Sequence, residues 1–276
     1  MNADGKTDGS VVPSNPTNKD ATEASAELAE GRLPAARNTD PSSLARTPSR
    51  NKRRSHGLLG VRMAAHRSRD LKFTALLHHV NVELLTSSFH QLNKHASPGV
   101  DPTTWHEYEK DLEERIDDLH GRIHRGAYRA LPSRRVHIPK PDGRTRPLGI
   151  ASLEDKIVQH AVRNVLQNIY EQDFLGFSYG YRPQRKPHQA LDALAFGIYE
   201  KKVNWVLDAD IKGFFDEIDR KWLVKFLEHR IGDQRIIRLI QKWLNAGIIE
   251  ETDWSDTGKG TSQGSVISPL LANVYL

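Results

Sequence analysis

Cysteine is absent from this chain of 276 residues. Its absence excludes disulfide scaffolds, thiolate zinc sites, iron–sulfur clusters and cysteine nucleophiles, and a reducing compartment is expected. No apolar run approaches the roughly 18 residues that a membrane span requires. The first residues also lack the basic and apolar regions of a secretory signal. We therefore expect a cytoplasmic chain without membrane helices.

Aromatic residues are absent before Phe73, and the same stretch is rich in proline, serine, threonine, asparagine and alanine. A segment of this composition cannot bury enough apolar surface to offset the chain entropy lost on folding. We therefore predict a disordered tail at residues 1–56, a helical N-terminal extension at 57–130 and a second domain at 131–276.

Acidic residues are absent from residues 41–69, which contain eight Lys and Arg, although the whole chain has a net charge of only +5. A second block, 122–146, contains eight Lys and Arg against a single Asp. Concentrated positive charge attracts a polyanion, and arginine suits bidentate phosphate recognition. A solvated surface or a disordered basic tail is an equal alternative for the first block. For the second block nucleic acid is favoured, and the candidate RNA-binding residues are Arg122, Arg125, Arg129, Arg134, Arg135 and Arg144.

Apolar periodicity predicts several helices and one hairpin. The clearest helix follows a capping box at 152–155 and has apolar residues at three-to-four spacing from Ile157 to Tyr170. Short strands at 136–138 and 146–150 flank an Asp-Gly turn, which is a hairpin signal. Further helices are predicted at 103–125, 187–200, 219–230 and 234–246, and a further strand at 204–209. This mixture of helices and strands indicates an α+β fold.

Carboxylates cluster at the end of the predicted strand 204–209. Because alternate residues of a strand share a face, Asp208 and Asp210 should point the same way. A carboxylate at a strand end is a good Mg²⁺ ligand, since this ion prefers oxygen ligands and keeps substrate phosphates in its shell. The alternative is that these residues are solvated or cap the next helix. It suits Asp219 and largely Asp216, but it explains Asp210 less well because apolar residues crowd it.

A glycine-rich turn at 260–264 leads into an apolar helix. Its backbone could approach a ligand closely, and Gln263 would supply a side-chain amide. Taken alone, this segment is better explained as an ordinary entry from a loop into a helix.

Short motifs follow one another from about residue 71 to the end of the chain. They are ASPGVD at 96–101, IPKPDG at 138–143, RPLGI at 146–150, EDKIVQ at 154–159, FSYGYRP at 177–183, DIKGFFD at 210–216 and QGSVISPLLAN at 263–273. In this order they resemble the N-terminal part of a bacterial group II intron reverse transcriptase/maturase. The resemblance implies the fingers and an incomplete palm of a right-hand polymerase, preceded by a helical extension that contacts template RNA.

The resemblance also implies an activity, RNA-directed DNA polymerisation, with Mg²⁺ as cofactor and with intron RNA, a DNA primer and dNTPs as partners. Asp210 resembles a catalytic aspartate that binds the metal, and the carbonyl of Ile211 would help to hold it. Phe215 resembles the aromatic gate that excludes a ribose 2′-OH. The nucleotide-binding residues implied by the motifs are Lys140, Arg146, Phe215, Gln263 and Gly264.

One departure from the family pattern is large. The family has a later aromatic-Ala-Asp-Asp hairpin that supplies further catalytic aspartates, and this sequence does not contain it. We therefore expect a truncated or fragmentary product that is inactive alone. Two alternatives stay open: a non-catalytic RNA-binding module, and a reverse transcriptase of retron lineage.

Overall fold

The computed structural model describes residues 50–139, 143, 145–250, 253–256 and 258–276. Most of the predicted disordered tail, residues 1–49, therefore lies outside the described residues. Helix α1 spans Arg50–Arg67, so the boundary predicted at residue 56 falls inside a helix. No proline occurs between Pro48 and Pro98, and a stretch without proline can keep an unbroken helical hydrogen-bond ladder.

Helices and a short 3₁₀ turn build the N-terminal extension. After α1 come the 3₁₀ turn Leu77–His79 and the helices α2 (Val82–Gln91), α3 (Trp105–Lys110) and α4 (Leu112–His124). The single helix predicted at 103–125 is thus two helices, because Asp111 has φ −119° and ψ 34°, well away from helical values. Thr104 and Glu107 form a capping box that begins α3.

Helix α5 (Leu153–Tyr170) lies at the centre of the hydrophobic core. The apolar stripe predicted from Ile157 to Tyr170 is confirmed, since each of its members is buried. Ser152 caps the helix, and its Oγ accepts a hydrogen bond from the backbone N–H of Asp155. Helices α1 and α2 pack against α5, which joins the N-terminal extension to the rest of the chain.

The sheet is built on the predicted hairpin. Strands β1 (Ser133–Pro139) and β2 (Thr145–Ile150) pair antiparallel, with Ile138 opposite Arg146. Strand β1 also pairs in parallel with β3 (Ile248–Glu250), which pairs antiparallel with β4 (Asp253–Ser255). Strands β3 and β4 were not predicted from the sequence, because strands of three residues are too short to show alternation.

Five helices remain, and they are α6 (Pro187–Tyr199), α7 (Phe214–Glu217), α8 (Arg220–Arg230), α9 (Gln234–Asn245) and α10 (Ser268–Tyr275). The positions of α6, α8, α9 and α10 follow the predictions closely, whereas the short helix α7 was not predicted. The predicted α+β class is confirmed. Within the described residues, no helix combines the length and the apolar character needed to cross a membrane.

The strand predicted at 204–209 is wrong. Residues 202–211 form neither strand nor helix, and Trp205 and Leu207 are each 91% exposed. A strand forms only when a neighbouring strand accepts and donates its backbone hydrogen bonds. In the described part of the chain, β1 to β4 pair with one another in a sheet that does not include this segment. Without a pairing partner, the segment therefore stays irregular and exposed despite its strand propensity.

Candidate functional site

The loop at 260–264 packs against the β2 edge of the hairpin. The backbone N–H of Gly149 donates a hydrogen bond of 2.6 Å to the carbonyl of Gln263. Gly264 has φ +100°, and a Cβ there would lie 2.7 Å from Leu148 Cδ1 and 2.8 Å from the Gly149 carbonyl oxygen. A side chain at residue 264 would therefore push the loop away from β2. The close approach seen here is between the loop and β2, and the predicted approach to a ligand stays a prediction.

The same loop is joined on its other side to α7. Thr261 N–H donates 2.7 Å to the carbonyl of Phe215, and Gly260 N–H donates 2.7 Å to the carbonyl of Ile218. Gly260 has φ +79°, and a Cβ on it would lie 2.7 Å from the carbonyl oxygen of Asp216. Loop 260–264 is therefore held between β2 and α7, two segments that are far apart in the sequence.

A chain of side-chain hydrogen bonds crosses this junction. Arg146 Nε donates to Gln263 Oε1 at 3.3 Å, and Gln263 Nε2 donates to Asp216 Oδ2 at 3.2 Å. The structure thus brings together Arg146, Gln263 and Gly264, three of the residues predicted to bind nucleotide. Phe215 precedes Asp216 and is half-buried, with its ring edge-on to Phe214 and Tyr181 at centroid distances of 5.7 and 6.3 Å.

Asp216 does not cap a helix, so that interpretation is wrong. Its carboxylate accepts from Gln263, and it lies within the short helix α7. The capping interpretation of Asp219 is confirmed, because its Oδ1 accepts from the backbone N–H groups of Lys221 and Trp222 at the start of α8. Asp219 therefore caps the backbone N–H groups that Asp216 was also expected to cap.

The predicted metal ligands take no part in this hydrogen-bonded chain. Asp210 and Ile211 are exposed on segment 202–211, which forms neither strand nor helix, with Asp210 five residues before Phe215. Gly213, with φ +63°, follows that segment and begins α7. Among the described residues, no three His, Asp or Glu side chains lie together in a way that could hold a metal ion.

Two predicted site residues fall where the structure gives no description. Lys140 and Arg144 lie outside the described residues, at positions between β1 and β2 in the sequence. Their roles in nucleotide and RNA binding therefore stay predictions.

The predicted RNA-binding arginines divide into two groups. Arg122 donates to Asp118 and to both oxygens of Glu154. Arg134 donates to the carbonyls of Pro98 and Gly99, and Arg135 pairs with Glu250 at 3.5 Å. These three guanidinium groups are engaged in holding the protein together. Arg125 and Arg129, by contrast, are exposed at the end of α4 and just beyond it.

Gln159 is a supporting residue to which the sequence pattern assigns no role. Its Oε1 accepts hydrogen bonds from Ser265 Oγ at 2.7 Å and from Val266 N–H at 3.1 Å. Gln159 is buried on α5, so it fixes the end of the glycine-rich loop to the core. The signal that could have found it is a polar residue inside an apolar helical stripe, which must find partners when buried.

Asp155 is a second buried polar residue beside this loop. It accepts hydrogen bonds from the Tyr128 hydroxyl, from Ser152 Oγ at 2.7 Å and from Leu131 N–H at 3.0 Å. Burial raises the pKa of Asp155, and these hydrogen bonds oppose part of that increase. The Tyr128 hydroxyl also accepts from Trp243 Nε1 at 2.8 Å. The cluster therefore joins the extension, α5 and α9.

The sequence is similar to those of several known proteins. The sequence signature of the family described as Reverse transcriptase (RNA-dependent DNA polymerase) matches residues 138–276. The chain is 37% identical over 183 residues to Protein YkfC of Escherichia coli (strain K12), an alignment that covers 65% of this chain and 48% of YkfC. It is 41% identical over 167 residues to Group II intron-encoded protein LtrA of Lactococcus lactis subsp. cremoris, covering 59% of this chain and 27% of LtrA.

A solved structure, the partial Cas6-RT-Cas1--Cas2 complex, matches 71% of this chain and 32% of its own chain, with 25% identity and a TM-score of 0.47. The chain thus spans less than half the length of the relatives named here.

Proposed function

Because the chain belongs to the Reverse transcriptase (RNA-dependent DNA polymerase) family, we propose that it is part of an RNA-directed DNA polymerase of the group II intron type. The relationship to LtrA, named as a group II intron-encoded protein, supports the intron type over the retron alternative. The observation that carries the proposal is the junction of β2, α7 and loop 260–264, where Arg146, Phe215 and Gln263 converge within the matched region.

In the proposed reaction, a primer 3′-OH attacks the α-phosphate of a dNTP in line, and pyrophosphate leaves. Positioning and charge neutralisation are the protein's main contributions to such a transfer. Arg146 uses its Nε to bind Gln263, which leaves its terminal amino groups to bind the triphosphate. Gln263 and Gly264 would lie beside the incoming nucleotide, and Phe215 would exclude a ribose 2′-OH by steric contact.

Reverse transcriptases use divalent metal ions, and we propose Mg²⁺ because carboxylate and phosphate oxygens are its preferred ligands. When bound, the metal neutralises charge on the reacting oxygens. Asp210 would contribute a carboxylate and Ile211 a backbone carbonyl. These two groups are fewer than the six ligands of an octahedral ion, and the described residues contain no three-residue cluster that would complete the set. Further ligands would have to come from substrate, water or residues outside the described part.

We also propose that the N-terminal extension binds template RNA, with Arg125 and Arg129 as phosphate contacts. Their exposure supports this role, because an exposed guanidinium can pair with phosphate.

RNA binding without catalysis is a second candidate function. It is favoured by one observation, the exposure of Arg125 and Arg129, which need no metal ion to pair with phosphate.

A chimera tests the polymerase proposal. In it, the part of LtrA beyond the region matched here follows this chain, and incorporation of dNTPs is measured on an RNA template with a DNA primer. We expect incorporation, and we expect Asp210→Asn to abolish it because an amide cannot supply the negative charge. Asp208→Asn makes the same charge change two residues earlier and should retain activity. Equal loss in both variants would contradict the assignment of Asp210.

The same chimera tests Phe215. Phe215→Ala should keep dNTP incorporation and admit ribonucleotides, because the ring is the group that would collide with a 2′-OH. The ratio of dNTP to rNTP incorporation is the measurement. An unchanged ratio would refute the gate assignment. RNA binding by a chimera that lacks all incorporation would favour the second candidate function.

A further inference from the structure

Asp216 ends the chain of side-chain hydrogen bonds that runs from Arg146 through Gln263, and its carboxylate caps no helix. Its carboxylate is exposed and accepts from Gln263 Nε2 at 3.2 Å. It does not serve the first turn of α8, where Asp219 accepts from the free N–H groups. We propose that Asp216 is a positioning residue, which fixes the side-chain amide of Gln263 and through it the guanidinium of Arg146. This inference rests on the function proposed above.

The chemistry of the neighbours allows only one orientation of the Gln263 amide. A carboxylate only accepts hydrogen bonds, and a guanidinium only donates them. With Nε2 toward Asp216 and Oε1 toward Arg146, both contacts are satisfied. A flipped amide would set oxygen against the carboxylate and N–H against the Arg146 Nε–H. Asp216 therefore selects the orientation in which Gln263 presents an acceptor to Arg146.

The backbone holds Asp216 in place for this task. Its N–H donates to the carbonyl of Gly213 at 2.9 Å, and the neighbouring carbonyls of Phe215 and Ile218 accept from loop 260–264. The close approach of Gly260 to the Asp216 carbonyl keeps α7 and the loop in contact. Gln263 belongs to that loop, so the backbone contacts between α7 and the loop keep the Asp216 carboxylate beside the Gln263 amide.

The hydrogen bond to Gln263 also restricts the guanidinium of Arg146. Gln263 binds the Nε of the guanidinium, so the contact restricts rotation of the planar group and uses neither of its terminal amino groups. Those groups make no hydrogen bond to any side chain or carbonyl in the described part of the chain. An oriented guanidinium binds phosphate more tightly than one that must first lose its rotational freedom.

A pair of charge-matched variants tests the inference in the 276-residue chain. Asp216→Asn and Glu217→Gln each remove one negative charge from α7, and Glu217 contacts Lys259 rather than Gln263. The probe is inorganic triphosphate, and its affinity is measured by titration calorimetry. If charge alone mattered, both variants would bind triphosphate more tightly. We expect Asp216→Asn to bind it about threefold to tenfold more weakly, and Glu217→Gln to bind it equally or more tightly.

Two further variants separate this inference from the function on which it rests. Arg146→Ala should lose most of the triphosphate affinity; binding equal to that of the unmodified chain would overturn the proposed nucleotide site. In a Gln263→Ala background, Asp216→Asn should no longer weaken binding, because the amide that Asp216 orients is gone. The role of Asp216 would be overturned if Asp216→Asn weakened triphosphate binding equally with and without Gln263→Ala. It would also be overturned if Asp216→Asn did not weaken binding in the otherwise unmodified chain.

A measurement without ligand keeps the inference testable if triphosphate does not bind. The side-chain NH₂ signal of Gln263 in ¹⁵N-labelled protein, identified by its loss in Gln263→Ala, reports the hydrogen bond to residue 216. We expect Asp216→Asn to shift this signal and Glu217→Gln to leave it in place. A signal that stays in place in Asp216→Asn would overturn the inference whatever the triphosphate result.

Discussion

The Oδ2 atom of Asp233 accepts a hydrogen bond of 2.8 Å from the backbone N–H of Leu76. The same oxygen accepts from Leu77 N–H at 3.0 Å, and Oδ1 caps the start of α9 through Arg235 N–H. One buried carboxylate therefore holds the 3₁₀ turn of the N-terminal extension against α9. The extension is joined to the rest of the chain by polar contacts as well as by its apolar core.

The pKa of Asp233 gives a pH-dependent prediction. Burial alone would raise it, but the hydrogen bonds from Arg235 and from the Leu76 and Leu77 backbone outweigh burial and hold the pKa well below its ordinary value of 3.8. A lowered folded-state pKa stabilises the protein fully above pH 3.8, and this stabilisation disappears as the pH falls below it. Asp233→Asn should cost about 1–3 kcal/mol of unfolding free energy at about pH 7 and less at about pH 3.

Chemical denaturation at the two pH values measures this difference. Asp219→Asn is the control, since Asp219 is the exposed cap of α8 and asparagine is a good helix cap. If Asp233→Asn lowers the unfolding free energy by the same amount at both pH values, the role assigned to the charge of Asp233 is wrong.

The buried Tyr128 hydroxyl gives a second stability prediction. Tyr128→Phe would remove a donor to Asp155 and the acceptor of the Trp243 N–H, so a buried polar group would be left without a partner. We expect a loss of about 1–3 kcal/mol in unfolding free energy. Tyr199→Phe, at a tyrosine that is 79% exposed, should change it little. Equal effects in the two variants would show that the Tyr128 cluster does not stabilise the fold.

The sequence predicted local elements well because local rules decide them. The stripe of α5 and the β1–β2 hairpin each carry their signal within one short segment, and both are confirmed. The strand predicted at 204–209 failed because pairing needs a partner, which a local pattern cannot supply. The role of Asp216 was missed for a similar reason. Its partner Gln263 is 47 residues away, and only the tertiary fold brings the two together.

RNA binding should depend on salt through the exposed arginines. Removing one phosphate contact lowers the steepness of log K against log salt by about 0.9 for duplex or 0.7 for single-stranded nucleic acid. Replacing both Arg125 and Arg129 with alanine should therefore reduce the steepness by roughly 1.4 to 1.8. Arg135→Ala should reduce it less, because that guanidinium pairs with Glu250. Titrations with a structured RNA at several salt concentrations measure these slopes, and a slope near zero in the unmodified chain would remove the nucleic-acid interpretation.

Gly264 should tolerate substitution poorly, whereas Gly258, just before the 260–264 loop, should tolerate it better. An alanine there would adopt φ +100° and would place its Cβ 2.7 Å from Leu148 Cδ1 and 2.8 Å from the Gly149 carbonyl. That carbonyl belongs to β2 and cannot move without disturbing the hairpin. Gly258 also has a positive φ, +70°, but a Cβ on it would meet no atom within 4 Å in the described structure.

The comparison of the two alanine variants separates close packing from backbone strain. Gly258→Ala should cost about 1–2 kcal/mol of unfolding free energy, which is the cost of a left-handed alanine. Gly264→Ala should cost about 1–3 kcal/mol more, because overpacking is added to the same strain. The displaced loop should also carry Gln263 away from Arg146, so triphosphate affinity should fall in Gly264→Ala and stay unchanged in Gly258→Ala. Denaturation and calorimetry measure the two effects, and equal behaviour of the variants would show that the contact with β2 does not hold the loop.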